Sequence, residues 1–384
     1  MSNLNGGFNG GFNGGFNGGF NGGFNGGFGT GADGGNAAAM AYALMTSREG
    51  TVAPADSSSY AWKRRKLPPL GGDAGHFLAW DAAVRKQTLI QAMLSVTCVV
   101  PEAAATPGRV VLYGLGKDLK HSVTLTALRR PKLGAFAKQL SKTLAAAELR
   151  SDRSAEILAQ LDNSWPFWHS MLPMRPALIP HTQVIFDLGV EVSTYLGMRF
   201  KHDLGCPRPS EYSPQVQPLI PVPGHGTYPM GHATQSYVVA RLLHWVAAWA
   251  CSTVRIELTG PFAALVQQAY RLAYRIAENR IVAGLHFDLD LWAGRRLGLA
   301  VADTIVGLAG AAPPPPPGLD PALEQGTPAL AIEKLLGPVL APDLASLHAL
   351  TPLFKIAFNA AVGEWARWLK LNGAGVAKAA TPAK

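Results

Sequence analysis

Three segments between Lys201 and Asp290 concentrate histidine, arginine, lysine and glycine in a way that a packed core alone does not require. The first runs Lys201-His-Asp-Leu-Gly-Cys-Pro-Arg208-Pro209. Lys201 falls at the end of a helical stretch and Arg208 in a Gly/Pro-rich loop, so a point-charge ammonium and a forked guanidinium can converge on one anion. The second runs Pro223-Gly-His225-Gly-Thr-Tyr-Pro229-Met230-Gly231-His232-Ala-Thr234 and leads into an apolar helix. A helix N-terminus presents free amides and the positive end of its dipole, which makes the Gly231 turn a ready anion site. His232 stands there as a proton carrier. The third runs Asn279-Arg280-Ile-Val-Ala-Gly284-Leu-His286-Phe-Asp288-Leu-Asp290. If a helix has begun by His286, Asp290 lies one turn further on the same face. It then accepts from one imidazole nitrogen and leaves the other free as nucleophile or ligand.

In order and spacing these segments resemble the type 2 phosphatidic acid phosphatase (PAP2) and vanadium haloperoxidase superfamily. Its motifs are Lys-x6-Arg-Pro, Pro-Ser-Gly-His and Arg-x5-His-x3-Asp. Lys201, Arg208 and Pro209 match the first, Pro229, Gly231 and His232 the second, and Arg280, His286 and Asp290 the third, across roughly Phe186 to Ala309. The resemblance implies an all-α helical bundle with an oxyanion pocket at its centre. Lys201, Arg208, Arg280 and the Gly231 amide would surround the equatorial oxygens, with His286 at an apex. In the phosphatase branch His286 would attack phosphorus to give phosphohistidine, while His232 protonates the leaving group and then activates water. In the haloperoxidase branch vanadate would be the cofactor, His286 the ligand of its vanadium, and His232 the group that helps hydrogen peroxide bind and lose a proton. Halide would then be oxidised to a hypohalous equivalent.

Met230 departs from the pattern, standing where the motif has Ser. The lost hydroxyl removes a donor to an equatorial oxygen, worth roughly 1.5–3 kcal/mol of oxyanion binding. A degenerate, non-catalytic pocket in an assembly or tethering protein is the corresponding alternative. Asn279 replaces the Ser that soluble phosphatases of the superfamily carry before the third-motif Arg, and a long helical stretch precedes the first motif. His225 lies seven residues before His232, where bromoperoxidases of the family place a second pocket histidine; it reads equally as a loop histidine between glycines. These features point to the haloperoxidase branch, with a soluble acid phosphatase as the alternative. The implied partners are a small oxyanion, hydrogen peroxide and halide, not nucleic acid. A bare metal site from His225, His232 and His286 has no HExxH motif or acidic ligand cluster behind it.

The elements that must position these residues are mostly helical. Leu89, Met93, Val96 and Val100 recur at helical spacing, as do Leu265, Ala269, Leu272 and Ile276, and again Ala357, Ala361, Trp365 and Trp368. The best alternating strand is Gly108 to Tyr113. The chain has 384 residues, room for one large domain or two ordinary ones. Of its 42 glycines, 16 fall in residues 1–36, which hold six copies of Asn-Gly-Gly-Phe from Asn5 to Phe28. Such a segment buries too little apolar surface to fold and reads as a disordered tail, either a tether or a self-association element. Residues 37–69 read as a linker ending in the basic run Trp62-Lys-Arg-Arg-Lys66, an anion patch or a solvated loop. The PAP2-like helical domain spans 70–312, a polyproline spacer 313–318, a C-terminal helical segment 319–372 and a frayed tail 373–384.

The net charge of +9 favours anionic partners without choosing among them. Cys98, Cys206 and Cys251 are too scattered for a disulfide framework and read as three reduced core thiols. The longest uncharged apolar run, Leu242 to Val254, is short of a bilayer span and contains His244. With no basic segment or apolar core of a secretory signal at the start, the expectation is a soluble cytoplasmic protein.

Overall fold

Apolar residues at helical spacing dominate the chain, and the computed structural model is accordingly mainly α-helical. It describes residues 37–51, 73–102, 108–162, 164–310, 335–336, 339–340, 342–348 and 352–372. The Asn-Gly-Gly-Phe repeats, the Trp62–Lys66 run, the polyproline spacer and residues 373–384 lie outside the described residues. The chain divides into two units after Asp81, not at residue 70.

The N-terminal unit holds α1 (Ala37–Thr51) and α2 (Ala74–Leu78). The first puts a helix in the opening part of the stretch 37–69 read as a linker, of which residues 52–69 lie outside the described residues. Ala-Ala-Ala-Met-Ala-Tyr-Ala-Leu-Met consists mostly of strong helix formers, and that local propensity prevails over the flanking glycines and serines. Asp73 caps α2, its carboxylate accepting from the His76 amide at 2.7 Å.

The second unit opens with α3 (Ala82–Leu94), followed by β1 (Thr97–Glu102), β2 (Arg109–Leu115) and β3 (Ser122–Arg129). The three strands form one antiparallel sheet in the order β1-β2-β3. β2 covers the expected strand, but the helical spacing through Val96 and Val100 was coincidental. The helix ends at Leu94, and the β-branched run Val96-Thr-Cys-Val-Val100 pairs with β2, placing Val100 opposite Val111. Cys98 sits on this edge strand and is exposed, against the expectation of three core thiols; Cys206 and Cys251 are buried, and all three are free. The helices α4 (Leu133–Ala137), α5 (Leu140–Ala146), α6 (Arg150–Asp162) and α7 (Trp165–His169) follow.

The site rests on the long helices α8 (Pro180–Leu204), α10 (Gly231–Thr253), α11 (Gly260–Val282), α12 (Asp288–Leu308) and α13 (Leu353–Leu371), with the short α9 (Pro209–Tyr212) between the first two. α10 packs against α8, α11, α12 and α13. Val238, Val239, Leu242, Leu243, Trp245 and Val246 bury it on most sides, as a central helix requires. Among the described residues, no helix is long and apolar enough to cross a membrane.

The C-terminal helix α13 is part of this core and not a segment set apart from it. Glu364 accepts from the His181 amide at 2.8 Å, the Thr182 amide at 2.9 Å and Thr182 Oγ1 at 2.7 Å, so a buried carboxylate caps the first turn of α8.

Gly294 and Gly298, one turn apart on α12, let that helix approach the start of α10 backbone to backbone. A Cβ at Gly294 would stand 2.5 Å from the Met230 carbonyl, and one at Gly298 would collide with the Thr234 carbonyl. Through this contact the Met230 amide donates to the Asp290 carbonyl at 3.0 Å and joins the start of α10 to the start of α12. Gly298→Ala is therefore expected to lower stability by about 1–3 kcal/mol through overpacking. Gly197→Ala, in α8 with nothing within 4 Å of the added carbon, should instead raise it by about 0.5–1 kcal/mol. Urea midpoints check both, and equal shifts for the two variants would overturn the packing argument.

Candidate functional site

Each conspicuous segment lies where a helix starts or stops. α8 ends beyond Lys201 at Gly205, whose φ of 54° lets its amide bond back to the Lys201 carbonyl at 3.0 Å. The chain then turns through Cys206 and Pro207 to Arg208, the N-cap of α9, whose amide is held by Glu211 Oε1 at 2.7 Å. α10 starts at Gly231 as expected, so the amides of Gly231, His232 and Ala233 have no acceptor within the helix. Arg280 lies in the last turn of α11. Gly284 then turns the chain at φ 80°, with Arg150 Nη2 2.8 Å from where its Cβ would stand. Arg150 clamps this region by donating to the carbonyls of Val216, Gln217 and Val282.

The third segment differs from expectation in one respect. α12 begins at Asp288, so His286 precedes the helix and does not share a turn with Asp290. Asp290 occupies the N3 position and reaches back instead. Its Oδ2 accepts from the Phe287 amide at 2.8 Å and lies 3.2 Å from His286 Nδ1.

A single guanidinium joins all three segments. Arg208 Nε donates to the His225 carbonyl at 3.0 Å and Nη1 to the Leu285 carbonyl at 3.0 Å. Nη1 also lies 3.4 Å from His286 Nε2, and Nη2 lies 3.2 Å from His225 Nδ1. Lys201 Nζ donates to the carbonyls of Gly226 and Thr227 at 2.9 and 3.0 Å, which leaves one of its three donors uncommitted. Arg280 Nη2 donates to the Ile157 carbonyl at 3.0 Å and to Gln160 Oε1 at 3.2 Å. Its Nε and Nη1 are buried without a hydrogen-bond partner.

Lys201, Arg208 and Arg280 are 4%, 2% and 0% exposed, and Asp290, the buried carboxylate whose charge acts on Lys201 and Arg208, is 0% exposed. This imbalance sets the electrostatics. Burial, then the charge of Arg208, pushes the Lys201 ammonium down to about 7. Burial lowers Arg208 and Arg280 to about 10. Burial followed by Arg280 lowers His232 to about 3, against a backbone hydrogen bond to Gln160 that raises it. Burial and the neighbouring cations hold His286 well below the usual imidazole range. Asp290 rises to about 6, because burial outweighs its bonds to Thr227 and Phe287 and the pull of the cations. Both pocket histidines are therefore neutral at neutral pH, inside a shell with surplus positive charge.

The structure thus brings together Lys201, Arg208, Arg280, His232, His286 and Asp290, with the half-buried His225 bonded to Arg208. Gly231 leaves open space at the start of α10, since a Cβ there would meet nothing within 4 Å. Two further residues carry the site. Thr227 Oγ1 is 2.5 Å from Asp290 Oδ2 and 3.0 Å from His286 Nδ1. Its place beside His225 was a weak sign of this. Gln160 on α6 accepts from Arg280 and from Asn279 Nδ2, the latter at 3.0 Å, and nothing in the chain pattern pointed to it.

Unpaired guanidinium N–H groups, an uncommitted ammonium proton and free helix amides fit a tetrahedral oxyanion such as phosphate or vanadate. Among the described residues, no group of three or more His, Cys, Asp or Glu side chains stands together as a bare metal ion would require. No protein-family model matches the chain, and no curated protein matches it in sequence.

An anion beside Lys201 returns its pKa toward the ordinary lysine range. Inorganic phosphate is thus expected to bind with proton uptake at about pH 8, above the Lys201 pKa of about 7, and to bind more weakly as the pH rises through that value. Calorimetry in buffers of different ionisation enthalpy reads the uptake, and binding with none would show that Lys201 does not face the anion.

Proposed function

We propose that the protein is a vanadate-dependent haloperoxidase of the PAP2 superfamily type, oxidising halide with hydrogen peroxide in an oxyanion pocket at the centre of its helical bundle. The observation that carries this reading is Arg280. A fully buried guanidinium with two partnerless nitrogens is costly unless an anion completes it.

Vanadate, when bound, would supply a Lewis-acidic centre that activates peroxide toward halide. The residues of this chain do the rest. Arg280, Arg208 and Lys201 hold the oxyanion's oxygens, with the amide of Gly231 as a further donor. His286 would offer the oxyanion the lone pair of Nε2. His232, neutral across the neutral range, would be the group that accepts a proton from peroxide. Asp290 steadies His286 from behind.

A bound oxyanion raises the His232 pKa as it does that of Lys201, so the same imidazole can serve as the base of this branch or as the acid of the phosphatase. The second reading remains chemically complete. His286 Nε2 would form a bond to phosphorus as the ester P–O bond breaks, and His232 would pass a proton to the departing oxygen and then take one from the attacking water. The geometry behind His286 suits a nucleophile as well as a ligand.

One purified sample assayed twice separates the two: bromide oxidation by peroxide after vanadate loading, and p-nitrophenyl phosphate hydrolysis without vanadate. Bromide oxidation is expected to dominate. His286→Ala should abolish whichever activity is present, and unimpaired turnover would sink both readings. Met230→Ser restores a hydroxyl beside the anion and should tighten vanadate by roughly 1.5–3 kcal/mol. Met230 is completely buried, so the same change should cost about 2–5 kcal/mol of stability through the cavity it leaves. Vanadate affinity that stays flat or falls would mean that position 230 does not face the anion.

A further inference from the structure

Thr227 is completely buried on the loop that leads into α10, between His286 and Asp290. Its Oγ1 lies 3.0 Å from His286 Nδ1, closer than the 3.2 Å from that nitrogen to Asp290 Oδ2. A hydroxyl has one proton and two lone pairs, and an ionised carboxylate only accepts. The Thr227 proton therefore goes to Asp290 Oδ2, 2.5 Å away. The other acceptor in reach, the Leu285 carbonyl, is 3.5 Å distant and already receives Arg208 Nη1.

With its proton committed, Thr227 can only accept from Nδ1, so Nδ1 must carry a hydrogen. The opposite side of the ring requires the same tautomer. Nε2 lies 3.4 Å from Arg208 Nη1, which cannot accept, so Nε2 must present its lone pair. Asp290 Oδ2 is itself fixed by the Phe287 amide at 2.8 Å, which anchors the chain of bonds in the backbone.

We propose that Thr227 is a positioning residue whose hydroxyl, oriented by Asp290, fixes the Nδ1–H tautomer and ring direction of His286 and so keeps the Nε2 lone pair aimed into the pocket. This rests on His286 being the pocket's reactive nitrogen. Asp290 alone holds the ring by a longer contact, and the hydroxyl supplies a second, nearer acceptor that restricts its rotation.

The test uses the full chain labelled with 15N-histidine and saturated with inorganic phosphate, with the His286 signals assigned by their loss in His286→Asn. In the wild-type protein and in Thr227→Ser, ring-nitrogen shifts should report Nδ1–H and an unprotonated Nε2. In Thr227→Val both tautomers should appear. Phosphate affinity should stay within about twofold because the cations are untouched, while kcat for bromide oxidation by the vanadate-loaded protein falls roughly 10–100-fold and recovers in Thr227→Ser. A wild-type His286 protonated on Nε2 overturns the proposal without any variant, which covers the case in which Thr227→Val does not fold. A single Nδ1–H tautomer and unchanged kcat in Thr227→Val overturn it as well. If the wild-type protein oxidises no halide, the haloperoxidase reading fails while the tautomer measurement still decides the role of Thr227.

Discussion

Three cations withdrawn from water, two of them beside the Asp290 carboxylate, are the constraint on which the rest of the structure depends. Burying a charge is tolerated only when its donors or acceptors are met, and the fold meets them chiefly with backbone carbonyls. Gly226 and Thr227 receive Lys201, His225 and Leu285 receive Arg208, and Ile157 receives Arg280. Carbonyls satisfy hydrogen bonds without cancelling charge, so the pocket keeps its positive surplus.

The loops that supply those carbonyls must therefore be held rigidly, and the helices around them do this. Gly294 and Gly298 let α12 lie close enough to α10 for the Met230 amide to reach the Asp290 carbonyl. This one contact sets the open start of α10 beside the residues that carry His286. On the opposite side, Ile157 packs with Ile220, Val282, Ala283 and Leu285, so the apolar patch that seats α6 also seats the turn before His286. Packing and chemistry share the same few residues, and a change in one is felt in the other.

The helical class was legible because a period near 3.6 survives over several turns in α11 and α13. It failed at Val96 and Val100, where a short β-branched run fitted both periods and pairing with β2 decided the outcome. Cys98, read as a core thiol because free cysteines are usually buried, lies on this edge strand and is exposed. At the site, the cations and histidines were visible as residue types at fixed spacings, but the contact of His286 with Asp290 was anticipated by the wrong route. The carboxylate reaches back from the first turn of α12 to a residue outside the helix.

By itself the sequence determined which groups were available and that a helix would begin at Gly231: an ammonium, two guanidinium groups, histidines and a glycine at a helix start, all properties encoded within a turn or two of chain. Only the tertiary structure decided which of their hydrogens are already committed. Thr227 meets Asp290 across 63 residues and Gln160 meets Arg280 across 120, distances over which no local periodicity carries information. Whether a buried N–H is satisfied or left open depends on atoms brought in from that far away, and Arg280 keeps unpaired N–H groups because α6 satisfies only part of its fork.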